Sequence, residues 1–356
     1  MFLKYRLQEE ELPMITISAC LIVKDEELVL ARCLECLKPI VDEIIIVDTG
    51  STDQTKIIAQ QYTDKIYDFQ WVNDFSKARN YSFSKATMDY IYVADADEVI
   101  DEENILKFQE LKKALTEDIE IVQMYYANQL DFNTTYNYDQ EYRPKLYKRL
   151  RQFTWMDQIH ESVRLEPVIY NSEIVIQHKP LCNHANRDFL IFQHMIQRGE
   201  TLSIKLVKMY ARELFIAGTD QDFVNAFTYY ADIIEDRSLD EELLKQCQCV
   251  VARAARIQKN YNVFFQMCLK NVALEKPSAE ICCELGEYYL ALGDAKEASI
   301  WFYNAAYETD AELNIHYHGD IPLLGLSRCY ALLGNVKESK AYKSLFESWI
   351  NENERR

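Results

Sequence analysis

Residues 41–55 read VDEIIIVDTGSTDQT, and the division of that stretch decides the fold. Residues 44–47 are a short β-branched run, the composition of a strand, and the run ends in Asp48. Thr52 and Asp53 then offer side-chain oxygens to cap a helix reaching about Tyr62, with Ile57, Ile58 and Tyr62 at helical spacing. Working outward, residues 16–23 (TISACLIV) predict a buried strand and residues 27–37 carry a helical apolar pattern. A strand near 65–69, a helix around 75–86 and a strand at 90–94 continue the series. Strands alternating with helices predict an α/β unit with a mainly parallel sheet and helices on both faces. In such sheets ligands gather at the carboxyl ends of the strands, and Asp48 and Asp95 each sit just past one.

From about Glu120 the pattern turns to strand-like runs at 121–127, 145–148, 163–165 and 174–177. Residues 128–142 between them are rich in Asn, Asp and Tyr, either a functional loop or hairpin near the site or an ordinary surface loop. After about Asn186 the chain reads as helical. Counting from Ala279, the positions of Leu285, Gly286, Tyr289, Ala298, Phe302 and Ala305 are those at which a tetratricopeptide repeat packs its paired helices. Small residues let the helices approach while Tyr289 and Phe302 fill the groove. A weaker copy (Leu326, Tyr330, Gly334) follows 41 positions on, and residues 210–218 echo it more faintly. The expected organisation is therefore an α/β domain over residues 14–185 and an all-α, TPR-like repeat domain over 186–356, because a repeat needs neighbours to bury its face.

The 356 residues suit about two domains. With 49% apolar residues, 27% charged, and only 8 Gly and 7 Pro, the chain has neither disordered linkers nor a turn-rich all-β pattern. A net charge of −18 argues against nucleic-acid binding and against a polybasic membrane anchor. No apolar run reaches the roughly 18–20 residues that span a bilayer, so no transmembrane segment is expected. The opening MFLKYRLQEEELP turns acidic too early for a secretory signal, and ten scattered cysteines read as reduced thiols. The expected location is cytoplasmic.

Three acidic clusters carry the chemistry: Lys24-Asp25-Glu26, the run from Asp48 to Asp53, and Asp95-Ala96-Asp97-Glu98. Singly, each is explained by capping of the next helix. Together they would line one edge of one sheet, which is costly unless a cation or hydrogen-bond donors offset them. An Asp-x-Asp directly after a strand suits Mn²⁺ or Mg²⁺, hard cations that take oxygen ligands together with substrate phosphates. Such a cation would neutralise a leaving diphosphate. Cys33-x-x-Cys36 has no second pair to complete a zinc site and reads as core or surface packing. His316-x-His318 lacks partnering acids at metal spacing and reads as incidental. Neither a P-loop nor a dinucleotide fingerprint is present.

With these motifs in order, residues 17–99 resemble the opening of glycosyltransferase family 2, in the subgroup whose members carry C-terminal helical repeats. The similarity rests on VDEIIIVDTGSTDQT, Trp71, Asp74-Phe75, Ala78-Arg79-Asn80 and DADE, and includes bacterial peptide S- and O-glycosyltransferases. It implies a GT-A fold and inverting sugar transfer from a nucleotide diphosphate, a UDP-linked hexose or N-acetylhexosamine. Val23, Glu26, Asp48, Gly50, Ser51, Arg79, Asp95 and Ala96 would then surround the nucleotide sugar. Asp48 would accept from the base, Glu26 would lie near base and ribose, and Asp95 would face the ribose or the metal shell. Arg79 would help hold the base or diphosphate, an ion pair being the alternative. Asp97 would bind the metal, and His178 would complete that site or be a buried, satisfied histidine. Glu161, in Gln158-Ile159-His160-Glu161, would be the general base, with Asp157 in reserve and His160 contacting diphosphate or acceptor. Asp25 stands where the subgroup has Asn, and Asp157 where it has Gly. A peptide or protein acceptor is expected. A polysaccharide acceptor or an inactive repeat-based binder is the alternative, and a homo-oligomer is left open.

Overall fold

The computed structural model describes residues 14–116, 118–127, 141–151, 153–156, 158, 162–163, 168–179, 185–236 and 238–353. They divide into two compact units, one up to residue 179 and one from residue 185. Among the described residues no helix is long and apolar enough to cross a membrane.

The first unit is built on an eight-stranded sheet. Its first half runs β1 (Ile17–Val23), α1 (Leu30–Leu37), β2 (Glu43–Asp48), α2 (Thr55–Ala59), β3 (Ile66–Asp68), α3 (Phe75–Phe83) and β4 (Tyr90–Ala94). Then come β5 (Glu98–Val99), α4 (Glu102–Ala114), β6 (Ile121–Ala127), β7 (Glu141–Lys148), the small hairpin of β8 (Trp155–Met156) and β9 (Ser162–Val163), and β10 (Ile169–His178). The sheet order is β3-β2-β1-β4-β7-β6-β10-β5. The first four strands are mutually parallel, as the buried apolar runs of β1, β2 and β4 predict, while the short β3 is only half-buried. Beyond them the sheet is mixed: β7 lies antiparallel to both β4 and β6, β6 pairs parallel with β10, and β5 closes antiparallel on β10.

Several boundaries differ from the sequence reading for local reasons. The helix expected from residue 27 starts at Leu30; residues 27–29 form a turn, and the N–H groups of Glu26 and Glu27 donate to side chains of Thr55 and Asp53. Asp53 was expected to cap the next helix. One of its oxygens takes the Thr55 N–H, at the first residue of α2, and the other that of Glu27, and α2 ends at Ala59, short of Tyr62. The main core is an apolar layer between β1, β2, β4, β6 and the helices α1 and α4, with Leu21, Leu34, Tyr92 and Phe108 essentially inaccessible, and smaller buried clusters form around Cys20, Ile45 and Ile91 and around Val93, Tyr147 and Trp155.

The second unit is helical throughout: α5 (Ala185–Gln197), α6 (Ile204–Ala217), α7 (Asp220–Ile234), α8 (Glu241–Ile257), α9 (Tyr261–Val272), α10 (Ala279–Ala291), α11 (Ala295–Tyr307), α12 (Asp320–Leu332) and α13 (Val336–Asn353). The most closely packed neighbours are α7 with α8, α8 with α9, α10 with α11, α11 with α12 and α12 with α13. Phe302 on α11 is the keystone of the best-matched repeat. A Cβ on Gly286 of α10 would lie 2.8 Å from its ring, and one on Gly325 of α12 would lie 2.7 Å from it. Both glycines are there to admit one aromatic ring. The 41-residue offset arises because residues 308–319 hold an added 3₁₀ turn, Ile315–His318. Tyr289, expected in the groove, is only half-buried.

Candidate functional site

The parallel register sets Val23 beside Asp48 and Leu21 beside Ala94, so the ends of β1, β2 and β4 open on one edge of the sheet. The loops after β1 and β2 are laced together there. The Val23 carbonyl accepts from the Thr49 N–H and hydroxyl, at 3.0 and 3.1 Å. Asp25 adopts a left-handed conformation (φ +54°), which Asp and Asn tolerate better than most residues. Its N–H donates to the Ser51 hydroxyl at 3.0 Å, and its carboxylate accepts the Thr52 N–H at 2.7 Å. The acceptor oxygen is what this position uses, so Asp serves where the subgroup has Asn. The Glu26 N–H donates to the Thr55 hydroxyl at 2.7 Å, fixing Glu26 beside the same loop.

Asp48 is 2% exposed. Its Oδ1 accepts the N–H groups of Gly50 and Ser51, both at 3.0 Å, and the turn needs Gly50 because its φ is +108°. Its buried Oδ2 has no hydrogen-bond partner among the described residues. A carboxylate oxygen withheld from water at a strand end is unfavourable unless a ligand N–H meets it.

The loop after β4 carries Asp95, buried Ala96 and Asp97, and leads into buried Glu98 of β5. Asp97 and His178 meet across the β5–β10 pairing, with Oδ2 of Asp97 and Nε2 of His178 separated by 3.1 Å. The Asp95 side chain is 41% exposed and receives Nη2 of Arg79 at 3.1 Å. Lys145 Nζ lies 3.9 Å from its other oxygen and pairs directly with buried Glu98. Desolvation by the surrounding protein works to raise the part-exposed Asp95 carboxyl, but Arg79 and Lys145 outweigh it and hold the group below the usual carboxylate range. Glu98 goes the other way: burial, with Asp95 and Asp97 adding to it, overcomes Lys145 and pushes it up to about 7.

Arg79, expected on base or diphosphate, thus sits in the ion pair with Asp95 and over the Trp155 ring at 5.2 Å. Sequence reasoning missed Lys145 and Arg143, two residues apart on β7 and both stacked on the Tyr126 ring, which lies 5.2 Å from the His178 ring. Their alternation along one strand was the available signal. It also missed the role of Asn80, which exchanges two 2.9 Å hydrogen bonds with the Trp155 backbone, while the Phe75 N–H donates to the Gln158 carbonyl at 2.9 Å. The Asp-Phe…Ala-Arg-Asn motif therefore fastens the segment leading towards residue 161. Asp157, His160 and Glu161 lie outside the described residues, as does most of 128–142. His316 pairs with Asp320 and His318 with the Ala305 carbonyl, and Cys33 and Cys36 pack against the acidic loop.

Among the described residues no group of three or more His, Cys, Asp and Glu side chains is arranged around a metal. The Asp97–His178 separation nevertheless fits one, since adjacent ligands at bond lengths of about 2.1 Å stand roughly 3 Å apart. A carboxylate and an imidazole leave the other positions of Mn²⁺ or Mg²⁺ to phosphate oxygens and water, the usual arrangement for such ions.

The family model described as glycosyl transferase family 2 matches residues 18–164. A TPR repeat-containing protein of Synechococcus elongatus is 48% identical over 85 residues, 24% of this chain and 21% of that one. The SPbeta prophage-derived glycosyltransferase SunS of Bacillus subtilis is 25% identical over 262 residues, 67% of this chain and 59% of that one. The chain thus spans less than two thirds of these relatives' lengths. Among solved structures, glucosyl-3-phosphoglycerate synthase of Mycobacterium tuberculosis, crystallised with Mn²⁺ and UDP-glucose, is 15% identical with TM-score 0.37, over 53% of this chain and 81% of that one.

Proposed function

We propose that the protein, whose residues 18–164 match the model described as glycosyl transferase family 2, is an inverting, metal-dependent transferase using a UDP-linked hexose or N-acetylhexosamine. The observation that carries the reading is the buried, unpartnered Oδ2 of Asp48 on the edge that also holds Asp95 and Asp97. That oxygen suits the imino N–H of a uracil ring, a charge-assisted hydrogen bond contributing about 1.5–3 kcal/mol. Asp95, kept ionised by Arg79 and Lys145, is an acceptor for a ribose hydroxyl. Val23, Glu26, Gly50, Ser51 and Ala96 supply the walls around the nucleotide.

Asp97 and His178 are the groups that would hold Mn²⁺ or Mg²⁺, whose chemistry there is to neutralise charge on the departing diphosphate. The acceptor atom attacks the anomeric carbon from the side opposite the diphosphate. The new bond to carbon forms as the carbon–oxygen bond to phosphate breaks, and the bonding pair leaves on the diphosphate oxygen. Glu161 is assigned to take the acceptor's proton, with Asp157 as the alternative base and His160 as the residue to contact the diphosphate or orient the acceptor. A peptide or protein side chain is the acceptor in this reading, supported by the helical-repeat unit, an architecture whose extended surfaces suit chains. A cysteine thiol, which ionises near pH 8.5, would ask less of the base than a hydroxyl.

Calorimetric titration of UDP, GDP and dTDP, each with Mn²⁺ and with EDTA, tests the donor assignment. Metal-dependent binding of UDP above the others is expected. Equal, metal-independent binding of all three would overturn it.

A further inference from the structure

One face of α1 touches both chain segments that carry the Asp97–His178 pair. The Cys33 thiol donates to the Asp95 carbonyl at 3.3 Å, and the Cys36 sulfur accepts the Ile100 N–H at 3.4 Å. Three residues apart on a helix, the two thiols lie on the same side and hold the two ends of the acidic loop. Arg32, the next residue towards the N-terminus, donates from Nη2 to the Lys179 carbonyl, just past His178. The loop and β10 are also fastened to each other, through the Lys179 N–H on the Asp97 carbonyl at 3.0 Å and the Glu98–His178 register.

Resting on the metal assignment above, we propose that Arg32, Cys33 and Cys36 are positioning residues for the metal site, a mount on α1 that sets the spacing of Asp97 and His178. None of the three needs to touch metal or substrate. Cys33 is 1% exposed, and burial raises its thiol well above the ordinary range, so it remains a permanent S–H donor. Groups that hydrogen-bond the ligands themselves typically change metal affinity 10–100-fold when removed, and these three act one to three residues further along the backbone.

The test is Mn²⁺ affinity of the full chain, measured by calorimetry or electron paramagnetic resonance without nucleotide or acceptor. Asp97→Ala serves as the control for the metal assignment, and a thermal melt is run on every variant. Cys33→Val, which fills the space but cannot donate, is expected to weaken Mn²⁺ binding at least tenfold, and Cys33→Ser to restore most of it. Arg32→Met is expected to weaken it independently, with a melt close to wild type. Wild-type Mn²⁺ affinity in both Cys33→Val and Arg32→Met, with binding lost in Asp97→Ala, would overturn the mount alone. Wild-type affinity in Asp97→Ala would overturn the metal assignment and the mount with it.

Discussion

Oδ2 of Asp97 and Nε2 of His178 stand 3.1 Å apart although 81 residues separate them in the chain. The contact exists because β5, two residues long, pairs antiparallel with the last residues of β10. Replacing either residue should therefore have the same effect. Asp97→Ala and His178→Ala are each expected to reduce sugar transfer by two orders of magnitude or more and to raise the Mn²⁺ concentration needed for half-maximal rate. Transfer rates across a Mn²⁺ series check this, and a His178→Ala enzyme with unchanged metal dependence would remove His178 from the site.

Asp48→Asn keeps the shape of the turn but sets an amide N–H₂ against a base N–H. The loss of one charge-assisted hydrogen bond, about 1.5–3 kcal/mol, corresponds to roughly 10- to 150-fold weaker UDP binding. Titration with UDP reads this directly, and an unchanged affinity would place the base elsewhere.

Glu161→Gln should leave UDP binding unaltered while slowing transfer to the acceptor by orders of magnitude, with Asp157→Asn much milder. A reversed ranking in single-turnover transfer assays would make Asp157 the base.

The pH dependence of stability in the α/β unit should include Glu43. Burial alone would raise this carboxyl, but Lys65, the Ser18 hydroxyl and two donors from Thr87 at 2.9 Å more than offset it, so its folded value lies below the usual range. A depressed folded value stabilises the fold above the ordinary carboxylate range and loses that contribution as pH falls through it. Denaturant melts from pH 7 to pH 3 should show wild type losing stability that Glu43→Gln, weaker at pH 7, no longer has to lose. Parallel pH curves for the two proteins would contradict the assignment.

In the repeats, Gly286→Ala and Gly325→Ala should each destabilise the helical unit by about 1–3 kcal/mol, because each drives a methyl into the Phe302 ring. Combining either with Phe302→Leu should cost less than the sum, and strict additivity in the double-mutant cycle would refute the keystone role of that ring.

The strands that carry Asp48 and Asp95 were legible because their β-branched and aromatic runs are buried on both faces, and Gly286 and Phe302 because helix pairing demands a small residue opposite a large one. What escaped was long-range or blurred. The Lys145–Glu98 pair spans 47 residues, and β5 is too short to show a period. In α4 the apolar face is obscured by an exposed Leu106 and by a Lys112 buried against Asp42. Arg79 carried a recognisable motif, yet its partner Asp95 lies on another element, and only the fold shows that the acids of this edge are offset by Arg79 and Lys145.

The central claim is metal-assisted sugar transfer at the edge formed by Asp48, Asp95 and Asp97. The most direct measurement is nucleoside diphosphate released from a panel of nucleotide sugars, with peptide acceptors, in Mn²⁺, Mg²⁺ or EDTA, for wild type and Asp97→Ala. The account predicts release from a UDP-sugar that needs the metal and disappears in the mutant. Release that persists in EDTA and in Asp97→Ala would contradict it.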